Sequence, residues 1–256
     1  MKINTSPISG TLELTPEIQV DFDTLKTKIS DSYHKHGYFN IETPSIERTE
    51  ILLAKAGGDT EKQIYKVVKT TESGLEADQA LRFDHTVPLA RYVVEHENDL
   101  VFPLKISQVG LNFRGERAQK GRFREFYQCD IDIIGDSSVN AEMELIAATT
   151  SALKAIGFKD FTLRINDRRI LTDMIKAAGF GDDEVSSVCI SFDKLDKVGM
   201  DGVKAELLEK GYEVAVVEKF MTVLNEAEDD ALKAAEKFCS DAEVVQNVKK
   251  VLDFAN

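Results

Sequence analysis

The most informative part of the sequence is Leu111–Gly135, LNFRGERAQKGRFREFYQCDIDIIG. Two strand-like runs flank a polar loop at Gly115–Gly121 in this segment, which predicts a hairpin. Successive side chains of a strand point to opposite faces, so the second run divides into an apolar set and a polar set. The apolar set predicts packing against a core. That set is Cys129, Ile131 and Ile133, and the polar set is Phe126, Gln128, Asp130 and Asp132.

The polar face of this predicted strand has two explanations. An ordinary half-buried strand also carries polar side chains toward water. The hairpin, however, brings Arg114, Glu116 and Arg122 close to the same face, and this combination suits a nucleotide with a small cation. An aromatic ring such as Phe126 can stack on a base, and a glutamate can accept a hydrogen bond from an exocyclic amine. Arginine forks bind phosphate oxygens, and carboxylates hold an ammonium group or Mg²⁺.

The charge of the chain is uneven. The formal net charge is −13, and Asp182–Asp253 holds 18 acidic and 9 basic residues. In contrast, Lys105–Arg124 holds six basic residues and one acidic residue. The acidic balance argues against a protein that coats nucleic acid in general. The basic island predicts either a bound polyanion or a solvated basic hairpin.

The amino-acid composition limits the class of protein to which the chain can belong. The 256 residues are 43% hydrophobic and 30% charged, which is typical of a folded globular protein. The sequence has no run of about 18 apolar residues and no apolar segment typical of a secretory signal, so we expect a cytoplasmic protein without membrane contact. The three cysteines are far apart, and the four histidines have no third ligand type nearby. We therefore predict neither disulfides nor a metal site built from the protein alone.

Hydrophobic periodicity predicts helices mixed with strands up to about residue 180, and then helices alone with an acidic surface. This order predicts an α+β core followed by a mainly helical subdomain. Helices are predicted at 17–36, 47–56, 86–97, 139–156 and 168–178, and then at 185–191, 200–210, 214–225, 229–239 and 241–254. Strands are predicted at 38–41, 64–68, 80–83, 104–109, 110–114, 123–134 and 161–165, with a polar turn at 70–78.

Several motifs resemble one family in its own order. The string Phe113-Arg114-x-Glu116, followed by a loop and Arg122-x-x-x-Phe126-x-x-x-Asp130, resembles motif 2 of class II aminoacyl-tRNA synthetases. The segment ERAQKGRFREFYQCDIDIIG, Glu116–Gly135, is similar to the corresponding segment of histidyl-tRNA synthetases in particular. Three further segments are similar to that family: GYFNIETPSIE at Gly37–Glu47, LRFDHTVPLAR at Leu81–Arg91, and LRINDRR at Leu163–Arg169.

The resemblance implies a fold and a domain organisation. The fold would be α+β, with the antiparallel sheet of the class II synthetases flanked by helices and followed by a mainly helical subdomain. Residues 1–166 would form the catalytic core with motifs 1 and 2. Residues 167–256 would form the family's helical insertion, because LRINDRR and the acidic stretch after it resemble the connection into that insertion.

The resemblance also implies a role for each matching position. Arg114 would be the catalytic residue, since it would hold the α-phosphate of ATP and stabilise the charge that develops during adenylation. Pro44, in the motif 1 segment, would belong to the dimer interface. The implied ATP-binding residues are Arg114, Glu116, Arg122 and Phe126. The implied histidine-binding residues are Asp84, Thr86, Gln128 and Asp132.

The implied activity is the activation of L-histidine with ATP and Mg²⁺ and its transfer to tRNA(His) by a homodimer. Two family signatures are not found in the sequence, an Arg-Gly-Leu-Asp-Tyr-Tyr-like segment and a glycine-rich motif 3. We therefore expect either a synthetase fragment that lacks part of its active site or a short non-catalytic relative. The non-catalytic alternative is the histidine-sensing regulatory subunit of ATP phosphoribosyltransferase. In both cases we expect weak or no aminoacylation by this chain alone.

Overall fold

A computed structural model describes residues 3–54, 61–71 and 74–255 of the protein. Contacts between Cα atoms divide the chain into two compact units, Met1–Asp160 and Phe161–Asn256. The assignment of a catalytic core to 1–166 and of an insertion to 167–256 stays a prediction. The described part of the chain contains no helix that is both long and apolar enough to cross a membrane.

The first unit mixes helices and strands, as the sequence predicts. Its elements in chain order are α1 (Pro16–Lys35), β1 (Phe39–Asn40), β2 (Ile46–Arg48), α2 (Thr49–Leu53), β3 (Lys66–Thr71), β4 (Gly74–Leu81), α3 (Thr86–Glu95), β5 (Leu104–Phe113), β6 (Glu125–Ile134) and α4 (Val139–Ala155).

The strands of the first unit form two small sheets. The first sheet has the order β1-β5-β6, with β1 parallel to β5 and β5 antiparallel to β6. The β5–β6 register runs from Leu104 opposite Ile134 to Phe113 opposite Glu125. The second sheet has the order β2-β4-β3 and is antiparallel. The backbone N–H of Phe113 donates to the carbonyl oxygen of Arg82 (3.0 Å), so the residue after β4 is tied to the end of β5.

One face of the β5–β6 pair packs against helices, and this confirms the predicted apolar set. Cys129, Ile131 and Ile133 pack with side chains from α1 and α4 in a single cluster. The opposite face carries Phe126, Gln128, Asp130 and Asp132 because the side-chain period of a strand is two. At its far end that face is also covered, since Leu104 and Ile106 pack with residues of α3. The polar side chains from Phe126 to Asp132 lie between this covered end and the hairpin loop.

Helix α1 begins and ends at residues that are typical of helix termini. Pro16 occupies its first turn, where a missing N–H costs nothing, and Gly37 follows its end with φ +79°. Thr15 precedes the helix in an extended conformation, but its side chain makes no capping hydrogen bond. The helix is held by burial of Tyr33 and by its packing against α4, where the hydroxyl groups of Ser32 and Ser151 lie 3.1 Å apart.

Three predictions of local secondary structure made from the sequence are wrong. The predicted helix at 47–56 is the end of β2 followed by the short helix α2, and residues 55 and 56 lie outside the described residues. The predicted polar turn at 70–78 is mostly strand, because β3 runs to Thr71 and β4 starts at Gly74. The predicted strand at 161–165 has no regular structure, and none of the strand pairings of the described residues includes it. Alternating apolar residues do not make a strand without a neighbouring strand to bond.

The second unit is helical. Its helices are α5 (Arg168–Ala178), α6 (Val185–Phe192), α7 (Leu195–Glu209), α8 (Val214–Asp229), α9 (Ala231–Phe238) and α10 (Ala242–Ala255). Helix α5 has the bounds that the sequence predicts. The side chain of Asp167 accepts from the N–H of Arg169 at its start, and Gly179 adopts φ +114° at its end. The core of this unit centres on Phe220, which is fully buried and meets Phe180 edge-to-face at 5.8 Å.

Candidate functional site

Arg114 lies at the centre of the candidate site, directly after β5. Its Nε donates to the carbonyl oxygen of Phe83 (3.0 Å), and its Nη2 lies 3.5 Å from the amide oxygen of Gln128. The guanidinium carbon lies 5.0 Å from the centroid of the Phe126 ring, which is within the range of a cation–π contact. These contacts hold the guanidinium in one orientation against the polar face.

Glu116 and Arg122, two further residues that are predicted to bind ATP, lie in the hairpin loop and directly after it. Nη1 of Arg122 lies 3.2 Å from Oε2 of Glu116, so the two side chains form an ion pair. Residues Gln119 and Arg122 exchange backbone hydrogen bonds across a tight turn, and Gly121 supplies the positive φ (+78°) that this turn needs. The Arg122 side chain is 67% exposed, so its guanidinium is free to turn toward a ligand.

Arg124 joins this loop to the segment before α1, which we call the N-terminal arm (residues 8–15). Its backbone N–H donates to the carbonyl oxygen of Gly10 (2.6 Å), and its Nη1 donates to that of Ser9 (3.2 Å). Its Nε donates to the backbone carbonyl of Glu116 (2.9 Å). Gly10 has φ +88°, and a Cβ there would lie 2.8 Å from Cγ of Arg124. Glycine is therefore required where the arm crosses the hairpin.

A cavity of about 730 Å³ lies between the arm, α1 and the hairpin. All four residues predicted to bind ATP line it: Arg114, Glu116, Arg122 and Phe126. None of the four predicted histidine-binding residues is among its lining. Apolar side chains of the arm and of α1, such as Leu12 and Phe22, complete the wall. This composition, apolar walls with a few polar groups that converge, is typical of a small-molecule site.

The other end of the polar face is acidic. Burial raises the pKa of Asp84, and the nearby Arg114 guanidinium partly offsets this rise. Burial also raises the pKa of Asp132, and the negative charges of Asp130 and Asp84 add to the rise. Oδ1 of Asp84 accepts from the N–H of Val87 (3.1 Å), so the carboxylate satisfies a free N–H in the first turn of α3. A bound cation would relieve the repulsion that raises the pKa of Asp132.

The buried side chains that precede and follow Asp84 in the sequence, Arg82 and His85, are tightly packed. Arg82 is buried, and its guanidinium donates to the carbonyl oxygens of Leu111 (2.8 Å) and Thr43 (2.5 Å). His85 is buried beside it, and burial lowers the pKa of its imidazole. A Cβ at Gly110 would lie 2.8 Å from Nη2 of Arg82 and 3.2 Å from Cε1 of His85. Gly110 therefore lets both side chains pass under the sheet.

The raised pKa of Asp132 leads to a prediction about stability. The folded chain binds this proton more tightly than the unfolded chain, whose carboxyl has its ordinary value of 3.8, so stability falls as the pH rises from about that value. We expect Asp132→Asn to remove this loss. Urea unfolding at pH 7 should show a more stable variant, and the gain should shrink as the pH is lowered toward 4.

Asp136→Asn is the matched control, because Asp136 lies just after the same strand. The N–H of Ser138 donates to its carboxylate and lowers the pKa of Asp136, so its charge favours the folded state. We expect no gain in stability at pH 7 from this control. A gain for Asp132→Asn that is the same at both pH values would show that charge is not its cause.

The structure sorts the predicted residues into two groups. Arg114, Glu116, Arg122 and Phe126 meet at the cavity, and Asp84, Gln128 and Asp132 lie with Asp130 at the acidic end. Thr86 is the exposed first residue of α3, next to Asp84. Pro44 is exposed between β1 and β2. Their roles stay predictions.

Two features of the site were not predicted. The basic island is not one surface, because Lys105 faces α4 and pairs with Glu144 (2.6 Å), whereas Arg124 binds backbone carbonyls. The contacts of Asp130 were also missed: Nε2 of Gln128 donates to both of its carboxylate oxygens (3.0 and 2.9 Å). The alternation of polar residues placed both side chains on one face but could not show which of them bond.

Structural comparison defines the class. A crystal structure of histidyl-tRNA synthetase from Nostoc sp. PCC 7120 matches with a TM-score of 0.80 at 32% identity, over 99% of this chain and 58% of that chain. A structure from Bacillus halodurans, named as an ATP phosphoribosyltransferase regulatory subunit/histidyl-tRNA synthetase, matches with a TM-score of 0.79 at 20% identity, over 100% of this chain and 65% of that chain. The second match shows a common fold alone. The predicted α+β fold of the class II synthetases is confirmed.

Sequence comparison identifies the family. The model of the histidyl-tRNA synthetase family matches residues 10–256, and the chain belongs to this family. The chain is 44% identical over 225 residues to a histidine–tRNA ligase of Clostridium tetani and 41% identical over 224 residues to that of Finegoldia magna. Each alignment covers 87% of this chain and 50% of the relative, so the chain spans about half the length of these relatives.

Proposed function

We propose that this chain carries the part of a histidine–tRNA ligase that binds ATP and L-histidine for formation of histidyl-adenylate. One observation carries the proposal. The Arg114 guanidinium lies between two regions of unlike character, the cavity lined by Arg122 and Phe126 and the acidic end at Asp84 and Asp132. A nucleoside triphosphate and an amino acid need these two environments side by side.

The proposed reaction joins two anions, so positioning and charge stabilisation are what the site must supply. The histidine carboxylate attacks the α-phosphorus of ATP, and pyrophosphate leaves. No covalent nucleophile is needed. In this proposal Arg114 holds the α-phosphate, because its guanidinium lies where the two environments meet. Its fixed orientation gives a donor that needs no rearrangement as charge develops on the phosphate.

The cavity end suits the rest of ATP. The Phe126 ring offers a face for the adenine, although the guanidinium of Arg114 lies over one side of it at 5.0 Å. The Glu116 carboxylate accepts from the adenine amine, and the exposed Arg122 binds the outer phosphates once it leaves its ion pair with Glu116. Arg122 then exchanges a carboxylate for a phosphate of the same sign of charge, whereas Glu116 exchanges a guanidinium for a neutral amine that donates a hydrogen bond.

The acidic end suits the amino acid. In this proposal Asp84, Gln128 and Asp132 surround the amino acid and its ammonium group, with Thr86 beside them. Burial and mutual repulsion raise the pKa of Asp132 and Asp84, and a bound cation relieves that repulsion. The site therefore favours the protonated amine over a neutral analogue.

Mg²⁺ would enter with the triphosphate as part of the substrate. Among the described residues no group of three or more His, Cys, Asp or Glu side chains is arranged to hold a metal ion. The carboxylates of Glu116 and Glu125 do line the cavity, and carboxylate oxygen is the ligand type that Mg²⁺ prefers. The ion would be held mainly by phosphate oxygens and water, with one of these carboxylates as a partner.

Transfer to tRNA(His) and homodimer formation belong to the same proposal. Phe39 of β1 is 71% exposed, and Ile46 of β2 is exposed near Pro44, so this segment offers an apolar surface to a second copy. The chain spans about half the length of these relatives, so transfer to tRNA(His) is proposed for the whole protein.

The regulatory subunit of ATP phosphoribosyltransferase is the competing function. The match to the Bacillus halodurans structure supports the fold of that class, whereas the relatives at 44% and 41% identity are histidine–tRNA ligases. A histidine sensor needs the acidic end but no nucleotide at the cavity. ATP binding that depends on the cavity residues therefore distinguishes the two functions.

We expect Phe126→Ala to weaken ATP binding by about tenfold or more, since stacking of a base on an aromatic ring is worth about 1–3 kcal/mol. Titration calorimetry with Mg·ATP measures this, and L-histidine is titrated in parallel. Phe158→Ala serves as control, because Phe158 is exposed and does not line the cavity. Equal ATP affinity of the two variants, or histidine binding without any ATP binding, would favour the regulatory function.

A further inference from the structure

Arg124 connects two walls of the cavity and is not among the residues that line it. Its Nε donates to the backbone carbonyl oxygen of Glu116 (2.9 Å), in the hairpin loop. Its Nη1 donates to the carbonyl oxygen of Ser9 (3.2 Å), and its backbone N–H donates to that of Gly10 (2.6 Å), both in the N-terminal arm. Glu116 lines the cavity on the hairpin side, and Leu12 lines it on the side of the arm. One residue therefore ties the two walls together.

We propose that Arg124 is a positioning residue that holds Glu116 where its carboxylate accepts from the adenine amine, with the N-terminal arm as its anchor. The proposal rests on the proposed function, because it takes the ligand to be ATP with its adenine beside Glu116. Arg124 acts through the backbone of Glu116 and not by contact with the nucleotide. A charged donor makes a stronger hydrogen bond to a carbonyl than a neutral donor does, so a guanidinium suits this task.

The contact of Arg124 with Glu116 is compatible with bound ATP, whereas the contact of Arg122 is not. In the free chain the Glu116 carboxylate forms its ion pair with Arg122 (3.2 Å). In the proposed complex Arg122 turns to the outer phosphates and leaves that carboxylate. Arg124 binds the backbone carbonyl instead, so it leaves the carboxylate free for the adenine amine. Arg124 therefore keeps Glu116 in place after Arg122 has left it.

The arm is closely fitted to Arg124 at Gly10. A Cβ at this position would lie 2.8 Å from Cγ of Arg124 and 3.1 Å from Cβ of Ala118. Gly10 also has φ +88°, a conformation that residues with a side chain rarely adopt. Gly10→Ala therefore loosens the same connection from its other end and leaves Arg124 itself intact.

The test compares ATP with ITP, which carries a carbonyl oxygen where ATP carries the adenine amine. Affinities for Mg·ATP and Mg·ITP are measured by calorimetry for the full chain, Arg124→Ala and Gly10→Ala. We expect the unmodified chain to prefer ATP, because the Glu116 carboxylate accepts from an amine and repels a carbonyl oxygen. In both variants the affinity for ATP should fall about tenfold and that for ITP much less, since a hydrogen bond to a charged group is lost only with ATP.

Each variant has a matched control. Arg117→Ala removes an exposed arginine from the same loop and should change the preference for ATP little. Gly211→Ala introduces the same kind of backbone strain in the second unit, since Gly211 has φ +87°. No atom of the described residues lies within 4 Å of a Cβ placed at Gly211, so this variant should bind both nucleotides as the unmodified chain does.

A second measurement needs no ligand. The N–H of residue 124 bonds to the carbonyl oxygen of Gly10, so it is protected from solvent exchange while the arm is in place. Hydrogen exchange followed by ¹⁵N NMR should show faster exchange of this N–H in Arg124→Ala and in Gly10→Ala. Arg117→Ala should keep the slow exchange.

The outcomes decide between positioning and a purely structural role. Loss of the preference for ATP in both variants, together with faster exchange of the N–H of residue 124, supports positioning. Equal losses of ATP and ITP affinity, or the same loss of preference in Arg117→Ala, would overturn it. Unchanged exchange in Arg124→Ala overturns it whether or not ATP binds. Faster exchange in a chain that binds no ATP even when unmodified would instead refute the proposed function, and the role of Arg124 in adenine recognition would be withdrawn with it.

Discussion

Replacing Arg114 by alanine is expected to slow histidine-dependent exchange between ATP and pyrophosphate by about 10²- to 10³-fold, the usual effect of removing one fixed donor from a charge-stabilising site. Arg114 is held by the carbonyl of Phe83 and by the ring of Phe126, so it meets the transition state already oriented. Where exchange by this chain is too slow to follow, the affinity for Mg·ATP measured by calorimetry tests the contact of Arg114 with bound ATP, although not its effect on the transition state. Circular dichroism should show an unchanged fold, because Arg114 is only half-buried.

Arg117→Ala is the matched control for this result. Arg117 lies three residues further along in the same hairpin loop, has the same charge and is exposed. A small effect of Arg117→Ala beside a large effect of Arg114→Ala would show that position matters and not the basic charge of the loop. Similar effects of both would mean that the loop only attracts ATP electrostatically, and the catalytic assignment of Arg114 would be abandoned.

Phe220→Ala is expected to destabilise the second unit by about 3–5 kcal/mol, the cost of deleting a buried aromatic side chain from a packed core. Phe220 is fully buried in the middle of α8 and meets Phe180 edge-to-face. Because Phe161–Asn256 forms its own compact unit with its own core, the loss should fall on that unit. Urea unfolding followed by a probe in each unit measures it.

The control is Val214→Ala, an apolar truncation at the exposed start of the same helix. It should shift the unfolding midpoint of the second unit by much less. An equal shift of both units in Phe220→Ala would mean that the two units unfold as one cooperative structure.

The parts of the fold that the sequence predicts well are those with a strong local pattern. Helix α5 has an Asp at its start, a glycine at its end and apolar residues at helical spacing, and its predicted bounds are correct. Strand β6 was predicted with its two faces in the right order, because alternation over ten residues leaves one register that buries the apolar set. The segment at 161–165 was predicted wrongly because strand pairing depends on distant residues.

The same distinction holds for the candidate site. The motif residues Arg114, Glu116, Arg122 and Phe126 could be predicted to meet, since they belong to a single hairpin. The contacts of that hairpin with the rest of the chain could not be predicted. Arg124 belongs to the basic island, which predicts either a bound polyanion or a solvated hairpin, yet its side chain binds backbone carbonyls of Ser9 and Glu116. Arginine side chains are long, and their sequence position does not show whether they reach a ligand or the chain itself.

The hydrogen bonds from Arg124 to Ser9 and Gly10 have a practical consequence for anyone who handles the protein. The first ten residues look like a dispensable leader on which to attach an affinity tag or a fluorophore. Ser9 and Gly10, however, are hydrogen-bonded to Arg124, which also binds the backbone of Glu116, so a bulky group near Ser9 would disturb the hairpin loop directly. Tags are better placed elsewhere. Conversely, limited proteolysis of the arm should report on loading of the neighbouring cavity, because a ligand that steadies the hairpin also steadies the arm and slows its cleavage.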